Sequence, residues 1–198
     1  MNFTKKYLLQ SKSLIEKLDI KKIELVIDLI CNIRKKHGRI FFLGVGGSSA
    51  NASHAVNDFR KITGIECYAP TDNMSEISAR TNDEGWSTVF IEWLKISKLN
   101  KKDLIFVLSV GGGNEKKNIS QNIVEAIRYA KSTKANIAGI VGKDGGFTNK
   151  NSKYCILIPV IDELNVTPHT ESFQSIIWHL MVSHPKLKKN QTKWESTK

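Results

Sequence analysis

The chain has 198 residues, 40% of them hydrophobic and 25% charged, enough for one α/β domain with a full core and too little for two large ones. Its net charge of +11 admits anionic partners, but the lysines are spread along the chain without the aromatic-interleaved basic motif of an RNA-binding module, which disfavours nucleic acid. Cys31, Cys67 and Cys155 stand far apart with no C-x-x-C pair, so neither a disulfide framework nor a thiolate zinc site is expected; a reducing cytoplasm fits, and neither a leader nor a membrane span is expected.

Residues 7–18 and 22–36 have helical spacing, with Leu8, Leu9, Leu14, Ile15 and Leu18 in the first and Ile23, Val26, Ile27, Ile30 and Ile33 in the second. They predict an N-terminal helical pair over residues 1–37, with Gly38 as the C-cap of the second helix. Residues 40–45 form a continuous apolar run, as in a parallel strand covered on both faces. Gly44, Gly46 and Gly47 follow as a sharp turn whose backbone approaches a ligand closely. Ser48 and Ser49 stand where a helix begins, with its free N–H groups facing an anion. His54 and Asp58, four apart, then share one face of that helix. A dinucleotide fingerprint is disfavoured, because position 49 is Ser49 where a third glycine is needed and no acidic residue closes the next strand.

Residues 65–69 predict a short strand and 70–75 a polar loop near the ligand end of the sheet. Asn82-Asp83 precedes Gly85 and a helix over 86–96. Residues 104–109 form a second buried strand, which delivers the chain to Val110, Gly111, Gly112, Gly113 and Asn114 before a helix over 118–133. Two strand-glycine-helix units place two loops across one crevice. Residues 137–141 and 154–159 are the last strands, with Gly142-Lys143-Asp144-Gly145-Gly146 after the first of them. Strands alternating with helices predict right-handed crossovers and a three-layer α/β sandwich with a mainly parallel central sheet. The last helix begins at Thr167-Pro168, presents His169, Glu171, Gln174 and His179, and stops before Pro185. Residues 1–185 are thus expected as a single domain, and 186–198 as a basic, disordered tail.

GVGGSSANASHAVND, the Asn82-Asp83 pair, LSVGGGN, GKDGG and the ES-x-Q-x4-H pattern of the last helix together resemble a sugar isomerase (SIS) domain. More narrowly they are similar to the bacterial sedoheptulose-7-phosphate (phosphoheptose) isomerases, over a stretch from the N-terminal helices to about Ser183. The resemblance implies a flavodoxin-like fold and a cytoplasmic, metal-dependent aldose-ketose isomerase of a phosphorylated sugar. It also implies a homotetramer with active sites between subunits, and a place in lipopolysaccharide or capsule heptose synthesis.

In that family a histidine and a glutamate four apart, with a glutamine and a histidine on the last helix, form the metal and catalytic site. Carried over, they fall on His54, Asp58, Glu171 and His179, with Asp58 in place of the glutamate and Glu171 in place of the glutamine. Two histidines and two carboxylates make a sound ligand set for a divalent metal, Zn2+ by first choice. The proton-abstracting base is Asp58 or Glu171, and His179 the partner acid. Positions 171 and 179 are roughly 12 Å apart along a helix and their side chains diverge, so the interfacial site of the family implies a metal that draws on two chains. The substrate-binding residues implied are Gly46, Gly47, Ser48, Ser49, Asn82, Asp83, Ser109, Gly111, Gly112 and Asn114. Of the family's serine-rich second loop only Ser109 remains, which leaves the N–H groups of a glycine nest for the phosphate. That depletion keeps open a second reading, a non-catalytic SIS module that senses a sugar phosphate or binds a protein partner.

Overall fold

Five apolar segments, β1 (Ile40–Gly44), β2 (Cys67–Tyr68), β3 (Leu104–Ser109), β4 (Asn136–Gly142) and β5 (Tyr154–Ile158), pair in parallel in the order β2-β1-β3-β4-β5. They belong to a computed structural model that describes residues 2–197. Every residue of β1 and β3 is buried, as the continuous apolar runs require of a sheet covered on both sides. Phe42 pairs with Phe106 and Gly44 with Leu108, which brings the carboxyl ends of β1 and β3 level. The strand order reverses between these two, so the chain leaves them toward opposite faces, and the crevice between is where such sheets take ligands.

The three-layer expectation holds, with an all-parallel sheet. On one face α2 (Ile20–Lys35), α3 (Gly47–Asp58) and α8 (Val166–Ser183) bury Ile27, Ala52 and Trp178 against Phe42, Phe106 and Ile140. On the other, α5 (Val89–Ile96) and α6 (Gln121–Ser132) bury Phe90 and Ile127 against Phe41, Leu43 and Val107. The predicted N-terminal pair is α2 with α1 (Phe3–Lys17) before it. Both start earlier than their apolar spacing, because Asn2 and Asp19 cap them by accepting the Lys5 and Lys22 N–H groups at 2.9 and 3.0 Å.

Four expectations are corrected. His37, at φ 51°, is the left-handed residue after α2, and the Gly38 N–H reaches Ile33 O at 2.9 Å. Gly38 is needed for another reason, since a Cβ there would meet the Lys102 backbone. The polar loop at 70–75 is instead a 3-10 turn, Pro70–Asp72, followed by α4 (Met74–Asp83), which buries no residue and so lacks the apolar stripe that announces a helix. Residues 65–69 pair as a strand only at Cys67–Tyr68. The tail expected from Lys186 is docked through Asn190: Leu187 is fully buried, Arg34 donates to Lys186 O and Leu187 O at 2.7 Å, and Lys189 and Asn190 donate to Ile62 O. Beyond it α9 (Lys193–Ser196) buries nothing, and Lys198 lies outside the described residues.

At the amino ends of the strands, opposite the crevice, Arg39 clamps the buried Asp103 through Nε and Nη2 at 3.2 and 2.7 Å. Hydrogen bonding to that carboxylate pushes the Arg39 pKa up. None of the described helices is long and apolar enough to cross a membrane.

Candidate active site and metal centre

The turn after β1 takes the conformation its glycines allow. Gly46 stands at φ 61°, and a Cβ on Gly44 would meet the Ser48 backbone. α3 then runs unbroken to Asp58, which puts His54 and Asp58 on one face, and it packs on α8. Asp58 Oδ2 consequently lies 3.8 Å from His54 Nε2 and 3.7 Å from His179 Nε2. The three groups each offer a ligand atom within 4.8 Å of the others. Ligands about 2.0–2.2 Å from a tetrahedral zinc sit about 3.3–3.6 Å apart, so these three groups would have to draw inward to hold such an ion, leaving its fourth position open.

Neighbouring groups hold this geometry. His179 Nδ1 lies 2.8 Å from Ser175 O, a carbonyl that only accepts, so Nδ1 carries a proton and the neutral tautomer this favours would present the Nε2 electron pair to the site. The fully buried Trp178 ring stacks on His179, 3.5 Å between ring centres, and meets His54 edge-on at 4.7 Å. Directly after Asp58 the helix widens into a π turn, Phe59–Thr63, an irregularity that recurs at functional sites. Asp58 is the least exposed of the three, at 15% of its side chain.

Glu171 does not join them within the chain. Its carboxylate lies over Gly47 at the amino end of α3, where any Cβ on residue 47 would strike it. Asn51 fixes that placement, donating through Nδ2 to Glu171 O at 2.9 Å and to Gln174 Oε1 at 3.0 Å. Among the described residues the Glu171 carboxylate has no hydrogen-bond partner. His169, on the same helix, is a core group: it is 3% exposed, bonds Gln10 through Nε2, and burial pushes its pKa down.

The expected substrate-binding residues divide. Gly46, Gly47, Ser48 and Ser49 form the turn beside Glu171; Ser48 Oγ is buried without a partner, whereas the Ser49 hydroxyl donates to Gly46 O. In the second loop Ser109 Oγ accepts the Gly112 N–H at 3.1 Å, so it shapes the turn, and the space beside Gly111 is open. Asn114 Oδ1 is taken by the Lys117 N–H. Asn82 and Asp83 end α4, which packs on α5 and the 3-10 turn, and bond one another. Trp178, Asn51 and the Ser175 carbonyl escaped sequence reasoning. The i−4 spacing of Ser175 from His179 was the one legible signal among them.

Residues 5–142 match the SIS domain family. A lincomycin biosynthesis protein of Streptomyces lincolnensis is 32% identical over 158 residues, 74% of this chain; the chain spans 56% of that relative's length. Phosphoheptose isomerase 1 of Campylobacter jejuni is 29% identical over 173 residues, 84% of this chain and 89% of the relative. A solved phosphoheptose isomerase structure from Francisella tularensis has the same fold, with a TM-score of 0.76 at 19% identity, covering 92% of this chain and 97% of that one.

Proposed function

The chain belongs to the SIS domain family, and on that premise we propose that it is a sugar-phosphate isomerase that interconverts an aldose and a ketose, with sedoheptulose 7-phosphate as the first-choice substrate. His54, Asp58 and His179 are the proposed holders of a divalent metal, Zn2+ by first choice, and their two nitrogens and one oxygen fit it. A metal there would polarise the substrate carbonyl. With Asp58 and His179 engaged as ligands, the base falls to Glu171 of the partner subunit across the shared interface, because within one chain positions 171 and 179 stand roughly 12 Å apart along α8. The base takes the proton from the hydroxyl-bearing carbon beside the carbonyl, that hydroxyl's own proton passes to the carbonyl oxygen, and the base returns its proton to the former carbonyl carbon as the former hydroxyl oxygen becomes the new carbonyl. The amino end of α3 and the open backbone at Gly111 receive the hydroxyl and phosphate ends of the sugar. A cytoplasmic homotetramer with active sites between subunits belongs to the same proposal. Association between copies is supported by Ile176 and Leu180 on α8, 47% and 42% exposed on the helix that carries His179.

The observation that carries this division is the placement of the Glu171 carboxylate over Gly47, apart from the three converging ligands. Glu171→Gln is expected to lower turnover by about 10²–10⁴-fold while bound zinc stays stoichiometric, and Asp58→Asn to release the zinc. Unchanged turnover in Glu171→Gln removes the base assignment. A wild-type protein that binds sugar phosphates and isomerises none is a sensing module instead.

A further inference from the structure

A second concave site lies on the face of the sheet opposite His54, Asp58 and His179. It is a cleft of about 370 Å³ between the segment after the Gly111–Gly113 loop and α7 (Gly146–Asn151) with the turn before it. The two segments leave the carboxyl ends of adjacent strands, β3 and β4, the edge at which open α/β sheets take ligands. Lys116, Lys117 and Lys150 converge on this cleft, and among the described residues none of the three is ion-paired. Of the acidic groups beside them, Glu115 pairs with Arg128, and Asp144, whose Oδ1 accepts the Gly146 N–H at 3.1 Å, keeps its charge and offsets one of the three cations. Three cations gathered in one concavity repel one another and focus a positive field into it, an arrangement that an anion relieves.

The cleft is preformed. Gly112 O accepts the Thr148 N–H and hydroxyl at 2.9 and 2.7 Å, and Gly113 O accepts the Phe147 N–H at 2.8 Å, so loop and helix move as one piece. The half-buried Phe147 ring gives one wall an apolar surface, with the Arg128 guanidinium 5.9 Å from its centre.

We propose that this cleft is a separate binding site for a polyphosphate anion, free or as part of a nucleotide, held by Lys116, Lys117 and Lys150 and taking no part in the isomerisation. The test is titration calorimetry of the full chain with pyrophosphate and, separately, with ATP. Saturable one-site binding that weakens as salt is raised is expected. The Lys116→Ala/Lys150→Ala double variant should lose at least about tenfold in affinity. Its melting temperature and its kcat and KM for the sugar phosphate should stay as in the wild type. Tighter binding of ATP than of pyrophosphate identifies a nucleotide whose ring lies on Phe147; equal binding identifies the free anion. Absence of binding by both probes overturns the proposal, as does full affinity in the double variant. A raised KM in that variant overturns it too, because the cleft would then hold the substrate's own phosphate. Binding is read without turnover, so failure of the isomerase reading leaves this test intact.

Discussion

Asp58 Oδ2 stands 3.7 Å from His179 Nε2, across the contact between α3 and α8. A cation shared by these two residues and His54 would tie the two helices together. Adding zinc to chelated protein is therefore expected to raise the melting temperature, by an amount equivalent to about 2.7 kcal/mol at a free concentration a hundred times Kd. Asp58→Ala should abolish the rise. Scanning calorimetry decides it, and identical melting with and without zinc would remove the metal site.

Gly47→Ala should separate activity from stability. The atoms nearest the new methyl are the far end of the flexible Glu171 side chain, which swings away at little cost, so unfolding by urea should change by less than about 1 kcal/mol. Turnover should fall by about 100-fold, as expected when a catalytic group is displaced by about an ångström. Retained turnover would show that Glu171 need not sit over the turn.

Asp103→Ala should do the reverse. Asp103 is 2% exposed and accepts from Arg39 and from the Asn100 side chain, so its loss leaves a guanidinium unpaired at the closed edge of the sheet. A destabilisation of about 3–5 kcal/mol is expected, with zinc stoichiometry preserved because the clamp lies at the opposite strand ends. Denaturant midpoints and metal analysis on the same sample provide the check.

His169 gives stability a pH dependence of definite sign. Burial favours its neutral ring, and this outweighs the attraction of the Asp162 carboxylate, itself held below the usual carboxylate range by the Leu164 N–H and Lys6; Tyr7 stacks on the ring and Gln10 bonds it. The folded pKa thus lies below the ordinary 6.5, and the unfolded chain takes up the proton first. The contribution is present in full above about pH 6.5 and is lost as pH falls from there through the depressed folded value. Denaturant midpoints between about pH 7 and about pH 5 should fall less steeply in His169→Gln than in the wild type. Parallel slopes would mean that another group carries the dependence.

Leu187 anchors the segment after α8. Leu187→Ala should cost about 2–5 kcal/mol. A chain ending at Asn190 should melt like the full protein, while one ending at Pro185 should melt lower. Equal melting of the two shortened chains would contradict the docking of residues 186–190.

What was legible in the sequence was whatever burial imposes locally. The runs that became β1, β3 and β4 were apolar because inner parallel strands are covered on both faces, and Gly44 and Gly112 marked turns where a side chain would strike backbone. The four-residue spacing of His54 and Asp58 survived because a helix converts spacing directly into a shared face. α4 was hidden because it buries nothing, and the docked tail because one leucine among lysines makes no periodic pattern. Only the tertiary structure could bring His179 to Asp58 while leaving Glu171 over Gly47. Those positions follow from where α8 crosses α3 and from the Asn51 clamp, and contacts between residues far apart in the chain leave no period for a sequence to display.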